Sequence, residues 1–337
     1  MHPEPSSPPG LRRALALLAI GALGLLSIVG SGGGMVGFPP CDPSLCGPPP
    51  PPPPVATVTP AYLTAQVGTA VNWTVTVQNL SGSLSYRWLR RDAGAAQYVE
   101  IPGATSASYG LPSVNLGDDG ARFLVRVSQS SGLGAQAEAR LVVSATPGLV
   151  FGDGEFQPAD WLILPVTPPA PAQPPTVLTE RVDSGGSPGA FRRMSFVLGS
   201  NAGVANVIYL STAAAYDPAT QGAVKVIDHA EDCGSTPPSD LVGVESSLVI
   251  EQAGRHYIAV PRADCGAAAW IVGAGRGSLT ATDFERFDGP PCNAGEACPD
   301  FSASGAPMRF GYRRIAFATP GASVVHVIDN WRATVWR

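Results

Sequence analysis

Residues 70–78 read AVNWTVTVQ. Val71, Trp73, Val75 and Val77 alternate with Asn72, Thr74, Thr76 and Gln78, and this period of two predicts a strand with one face in a core and the other in water. The same pattern continues downstream. Residues 84–91, LSYRWLRR, alternate around Leu84, Tyr86 and Trp88. Residues 101–114, IPGATSASYGLPSV, open on a Pro-Gly turn signal ahead of another strand. Residues 115–132, NLGDDGARFLVRVSQSSG, place a turn before Phe123, Val125 and Val127, and residues 135–145, AQAEARLVVSA, close the run. Short strands separated by turns about every eight to twelve residues predict an antiparallel sandwich over 55–145.

A second alternating region follows. Residues 146–175 form a boundary that ends in the proline-rich LPVTPPAPAQPP, although VFGDGEFQPADWLILP (150–165) reads as an opening strand. From Thr176 onward alternation returns in TVLTERVDSGGSPGAFRRMSFVL, ANVIYLSTAAAYDP, GAVKVIDHAEDC, SSLVIEQAGRHYIAVPR, AAAWIVGAG, APMRFGYRRIAFAT and SVVHVIDNWRATVWR. No long stretch carries helical periodicity. About ten or more strands in a domain spanning 146–337 predict a two-sheet jelly roll, so the fold class is all-β throughout.

Two resemblances sharpen this reading. The segment YRWLRR with IPGATSASYGLPSVNLGDDGARFLVRVS resembles the immunoglobulin-like modules of bacterial surface proteins. Trp88 stands in place of that family's strand-C tryptophan, and Asp118-Asp119-Gly120 with Phe123 stand at the corner before strand F. The chain departs from the family where Val75 and Val125 replace inter-sheet cysteines and where Phe123 lacks the corner hydroxyl. Two buried valines, worth about 1.5–3 kcal/mol each, let the core form without a bridge. The resemblance implies a spacer or stacking module, with the loop Arg90–Tyr98 as the competing contact surface. Residues 150–337 resemble concanavalin A-like and laminin G-like jelly rolls and the related carbohydrate-binding modules. FGDGEFQPADW looks like their first strand, GGSPGAFRRM like their glycine-rich turn, and VIDNWRATVWR like the terminal strand beside the first.

The N-terminus bears on location. Arg12 and Arg13 precede the apolar Ala14–Gly30, and Val29-Gly30-Ser31 offers a small-x-small cleavage site, so 1–31 reads as a secretory signal. At 1.5 Å per residue the apolar stretch makes about 25 Å of helix, which keeps an uncleaved membrane anchor open as the alternative. Residues 32–54 are a Gly- and Pro-rich linker whose unbroken prolines, Pro48–Pro54, form a stiff polyproline rod. Export, to the cell envelope or beyond, places the six cysteines in an oxidising compartment. Their spacing favours Cys41–Cys46, Cys233–Cys265 and Cys292–Cys298, and with no CxxC pair a metal site is the weaker reading. The chain has 21 basic residues, of which Lys225 is the only lysine, against 26 acidic ones, giving a net charge of −5. After residue 150 the acidic excess is 19 to 13. Such a surface speaks against nucleic-acid partners, and membrane contact is expected only through the N-terminal segment.

Chemistry is sparse. Asp228, His229, Glu231 and Asp232 cluster in KVIDHAEDC, which a strand end leading into a polar turn explains as well as acid–base work does. His326 lies in a strand pattern. VGAGRG follows a strand but precedes no helix, so a bulged hairpin outweighs a phosphate loop. No nucleophile elbow or HExxH motif is present, and the expectation is a non-enzyme without a cofactor. Two sites are expected on the second domain. Asp153 and Glu155 on its opening strand, with Asp329 on its closing one, form a candidate structural calcium site against the competing reading of solvated rim carboxylates. Tyr209, Tyr216 and Trp270, with Tyr257 and Trp331 also available, form a candidate sugar platform against the competing reading of core aromatics. The functional expectation is an exported surface-binding or adhesion protein whose jelly roll meets a glycan or a surface protein. A structural envelope scaffold and a glycan-active enzyme are the alternatives.

Overall fold

The computed structural model describes residues 51–166, 173–201, 203–236, 243–287, 292 and 298–337. The expected export segment, the linker up to residue 50 and the Cys41–Cys46 pair lie outside the described residues. Among those described, no helix is long and apolar enough to cross a membrane.

The first sandwich is built from β1 (Val55–Thr59), β2 (Tyr62–Gln66), β3 (Val71–Gln78), β4 (Leu84–Arg91), β5 (Val99–Glu100), β6 (Ser108–Leu111), β7 (Arg122–Gln129) and β8 (Gly134–Ser144). One sheet runs β1-β3-β6 and the other β2-β8-β7-β4-β5. This is an immunoglobulin-like strand order, with β2 joining β8 in parallel. The alternation of 71–78 is realised directly, since Val71, Trp73 and Val75 are buried and their neighbours exposed. Trp73 packs on Phe123 with ring centroids 4.4 Å apart. Val75 and Val125 both lie in this core, as expected where the family carries cysteines. The Trp88 indole donates to the Ser106 carbonyl at 2.9 Å. The corner ahead of β7 is held without a tyrosine. Asn115 and Asp118 form a reciprocal capping box, and Arg90 Nη1 lies 2.6 Å from Asp118 Oδ1.

The second sandwich begins with β9 (Leu149–Asp153), β10 (Trp161–Pro165), β11 (Thr176–Gly186), β12 (Gly189–Val197) and β13 (Val204–Tyr216). A single helical turn, α1 (Pro218–Gln221), leads to β14 (Val226–Thr236), β15 (Gly243–Gln252), β16 (Arg255–Ala259), β17 (Ala263–Asp264) and β18 (Ile271–Leu279). The chain ends through β19 (Phe284–Arg286), β20 (Met308–Phe317) and β21 (Ser323–Trp336). One sheet runs β10-β13-β20-β15-β16-β19 with β17 on β15, the other β11-β12-β21-β14-β18 with β9 on β21. The closing strand is central to its sheet. Its first half pairs with β12, its second half with opening strand β9, and its other edge with β14 along nearly its whole length.

VGAGRG belongs to β18, whose pairing with β14 is interrupted by two register shifts. Gly275 is required there, because a Cβ at that position would sit 2.2 Å from the His229 carbonyl oxygen. The glycines therefore serve a bulged strand.

The two sandwiches meet through a polar contact. Thr64 on β2 donates to Asp228 Oδ1 at 2.8 Å, and the Trp336 indole donates to Asp228 Oδ2 at 2.8 Å. Burial raises the Asp228 pKa above its ordinary value, against the donors Ser278, Thr64 and Trp336 that favour the charged form. Lys225 spans the junction, donating to Asp119 Oδ2 at 2.7 Å and to the Val143 carbonyl at 2.6 Å. Ser144 Oγ donates to the Arg337 carbonyl at 2.8 Å, and the Arg276 guanidinium lies 4.4 Å over the Tyr62 ring. The first sandwich is thus seated on the second rather than tethered to it by a free linker.

Candidate functional site

The sequence R-x-L-x-R occurs twice in the first sandwich, as RWLRR at 87–91 on β4 and as RFLVR at 122–126 on β7. The two strands are antiparallel neighbours. Their register sets Arg87 opposite Arg126, Leu89 opposite Leu124, and Arg91 opposite Arg122. With side chains alternating across a strand, all six point to the outer face of the sheet. Leu89 and Leu124 are each only 8% exposed and form an apolar floor. The four arginines frame it, the two pairs standing about 14 Å apart at about 3.4 Å per residue.

Like charges placed directly opposite in an antiparallel ladder destabilise it; the unfavourable pairing occurs twice between β4 and β7 and once more where Arg122 faces Arg140 across β7 and β8. The compensation is incomplete. Arg122 pairs with Glu138, which also accepts from the Tyr98 hydroxyl. Burial alone would raise the Glu138 pKa, but Tyr98 and Arg122 outweigh it and hold the carboxyl below its usual range. Arg91 rests over the Tyr98 ring at 4.9 Å. At the other end Arg87 reaches Glu100 only at 3.9 Å, with both side chains more than half exposed, a geometry worth little. Arg126 is exposed, and among the described residues it has no ion pair. A groove of about 440 Å³ opens at this end, lined by Arg87, Leu89, Glu100, Arg126, Ser128 and Gln136 among others. Gly134, opposite Ser128, keeps its wall low. Alternation in LSYRWLRR and ARFLVRVS identifies the core-facing side of each strand, and the Arg90–Tyr98 loop is the contact surface the sequence suggests, not this sheet face. The signal that could have found the face is the repeated R-x-L-x-R, which acquires meaning once the register is known.

The residues singled out on the second sandwich fall elsewhere. Tyr209 is fully buried, stacked on Tyr312 with centroids 4.8 Å apart, and burial pushes its pKa up beyond the ordinary tyrosine range. Tyr216 is buried with its hydroxyl donating to the Gly222 carbonyl at 2.5 Å. Tyr257 and Trp331 are also in the core. Rings without a face in water cannot stack on a sugar, so these four are core aromatics. Trp270 alone of the five is partly exposed, edge-on to Phe191.

The expected calcium carboxylates lie on adjacent strands, as β9 pairs with β21, but they do not converge. Asp153 spends Oδ1 on the Glu155 and Phe156 amides and Oδ2 on the Trp161 indole. Glu155 turns outward to Arg181. Asp329 accepts from the Ser187 and Asn330 amides. Its pKa is raised by burial, and the charges of Asp232 and Glu155 add to the shift. Among the described residues, the only group of three or more ligand-type side chains with mutually close donor atoms is Glu231, Cys233 and Cys265, and the two sulfurs there are joined as a disulfide. The donor sets do not fit a metal.

The KVIDHAEDC segment holds a correction. It is no strand end leading into a turn: β14 continues to Thr236, and His229 and Glu231 point into the core. Arg314 Nη2 donates to Glu231 Oε1 at 2.8 Å, Arg314 Nε donates to His326 Nδ1 at 3.1 Å, and Arg314 Nη1 meets Ser246. Arg314 and Glu231 have no solvent exposure. A substrate has no route to such a cluster while the sandwich stays closed, and the groups act on each other. The pairs Cys233–Cys265 and Cys292–Cys298 are both bonded, as the spacing favoured.

No family model matches the chain, and no curated protein matches it. Among solved structures it is similar to the N-terminal four Ig domains of Dscam1 isoform 4.44, at 18% identity over 27% of this chain and 21% of that one, with a TM-score of 0.22. The same region of isoform 6.9 gives 21% identity over the same shares and the same TM-score. That of isoform 1.9 gives 14% identity over 44% of this chain and 39% of that one, with a TM-score of 0.23. The chain spans well under half the length of these structures.

Proposed function

We propose that the chain is an exported surface-binding or adhesion protein whose ligand is an acidic polysaccharide, held on the four-arginine face of the immunoglobulin-like sandwich. The observation that carries this reading is the like-charged pair Arg87–Arg126 over an open groove. It weakens the sheet, so a site is the better account of it than stability. Guanidinium forks match uronate carboxylates and sulfates bidentately, while Ser128 and Gln136 on the rim suit sugar hydroxyls. Export is supported by the two disulfides, which persist in oxidising compartments. The second sandwich, read as a concanavalin A-like jelly roll because its opening and closing strands pair, then serves as the platform on which the binding module is seated. This moves the ligand from the C-terminal end, where the sequence alone pointed, to the first sandwich.

An array of uronate-bearing, sulfated and neutral glycans, probed with the full chain and with the Arg87→Ala/Arg126→Ala variant, tests this. Each lost charge-assisted contact is worth about 1.5 kcal/mol, so the variant should bind acidic glycans at least about tenfold more weakly. Added salt should weaken the wild type as well. Equal binding by the variant would refute the site. Binding confined to neutral glycans and lost in Trp270→Ala would return the ligand to the second sandwich. Single-stranded DNA bound as tightly as the glycans would reduce the face to a nonspecific polyanion surface.

A further inference from the structure

Strand β10 closes one edge of its sheet, with β13 on one side and, among the described residues, no strand on the other. The Val166 amide bonds to the Asn206 carbonyl at 2.9 Å. In the antiparallel register Leu162↔Leu210, Leu164↔Ile208, that bond fixes the phase. Residues 162, 164 and 166 direct their amides and carbonyls to β13, and residues 161, 163 and 165 direct theirs outward. Pro165, which has no N–H, therefore sits where its missing donor costs the ladder nothing, as edge prolines do. The strand carries no charge, and Leu162, Ile163 and Leu164 are all exposed. Two other sheet edges of this sandwich are guarded differently. Strand β11 carries Glu180, Arg181 and Asp183, and β19 carries Glu285 and Arg286. Charged edges resist pairing and uncharged apolar ones invite it.

We infer that β10 pairs antiparallel with β10 of a second copy of this chain, about a two-fold axis through Ile163. Leu-Ile-Leu reads the same in both directions, so an isologous contact sets Leu162 against the other copy's Leu164, twice, and Ile163 against itself. The outward groups match. Each Ile163 amide reaches the other Ile163 carbonyl, and each Trp161 amide reaches the other Pro165 carbonyl. The absent proline donors leave only two carbonyls, those of Trp161, to water. The leucines cover one face of the joined sheet and the isoleucines the other. A contact this short lies at the weak end of protein interfaces, so the dimer is concentration-dependent.

Sedimentation of the full chain over a concentration series tests the pairing and its register. Wild type should dimerise with rising concentration. Ile163→Pro removes the outward donor and a side chain that is more than half covered, leaves the β13 ladder intact, and should weaken association at least about tenfold while a cooperative melting transition shows that the variant still folds. Leu162→Lys/Leu164→Lys sets lysine opposite lysine and should also weaken it about tenfold or more, whereas Leu162→Lys/Leu164→Glu sets lysine opposite glutamate and should retain the dimer. Wild type that stays monomeric up to about 1 mM overturns the inference. So does undiminished dimerisation of Ile163→Pro, or identical association of the two charged variants.

Discussion

Glu231→Gln is expected to destabilise the protein by about 3–5 kcal/mol, the range for removing one member of a buried ion pair. The carboxylate sits at zero exposure against Arg314, which is equally sealed. The amide keeps the shape and loses the charge. Arg314 would then remain in the core as a cation whose other contacts, Ser246, His326 and the Tyr312 ring at 4.5 Å, are all neutral. Most of the loss is this stranded charge rather than the worth of the pair. The double variant Glu231→Gln/Arg314→Met should therefore be more stable than Glu231→Gln alone. Urea unfolding followed by tryptophan fluorescence measures both. A loss below about 1 kcal/mol for Glu231→Gln would mean that water reaches the cluster.

The same cluster gives the protein an acid limit. Burial would raise the Glu231 pKa, but Arg314 and His229 outweigh it and bring the carboxyl to about 2 from an ordinary 4.5. His326 is pushed well below its ordinary 6.5, first by burial and then by Arg314, with Glu231 opposing. Its Nδ1 accepts from Arg314, so its proton lies on Nε2, and a second proton would break that bond and face a guanidinium. For both groups the unfolded chain binds protons that the folded chain refuses. Their contribution is complete above the unfolded values and is lost as pH falls. Decline should begin below about pH 6.5 through His326, by up to about 1.4 kcal/mol per pH unit. Glu231 adds a second decline below about 4.5. Asp228 and Asp329, both raised by burial, act oppositely, since each binds its proton more tightly in the folded chain and so gains stability as pH falls. His326→Asn should flatten that first decline in a pH series of unfolding midpoints, and an unchanged slope would remove His326 as its cause.

Alternation made the first sandwich legible where a strand buries one face and leaves the other in water, as β3 does. Val71, Trp73 and Val75 needed no partner to be identified, and Trp88 with Phe123 fixed the surrounding pattern. On β13 the same reasoning fails. Tyr209 faces the main core, and its neighbours Ile208 and Leu210 are covered on the other face by a second apolar cluster with Val249 and Ile258. With both faces buried, a period of two no longer says which residue meets water, and a tyrosine there looks as available as one on a platform. Glu231 escapes local reading for a related reason. Its charge is tolerable inside only because Arg314 stands 83 residues further on, and no local window contains that fact. The arginine frame is likewise non-local, four ordinary surface residues until the β4–β7 register sets them face to face.

Replacing Cys233 and Cys265 with alanine should cost about 3–4 kcal/mol, a value set by the 32-residue separation that the bridge closes. Cys233 lies on β14 in one sheet, and Cys265 follows β17, which pairs with β15 in the other. The bond thus ties the two sheets of the second sandwich together. The first sandwich fills the equivalent role with Val75 and Val125, so it should not respond to reductant. Cys292–Cys298 closes only six residues, and its alanine pair should cost nearer 2 kcal/mol. Both sulfurs of the larger bridge are fully buried, and thiol exchange needs access to them. Reductant alone should therefore leave the native Cys233–Cys265 bond intact, and its loss should track unfolding of the second sandwich as denaturant is raised. Thiol alkylation followed by peptide mapping at each denaturant step reads this directly. Labelling of Cys233 and Cys265 before any loss of structure would show that the sheets part locally, and the bridge would then be an accessible redox site rather than a sealed tie.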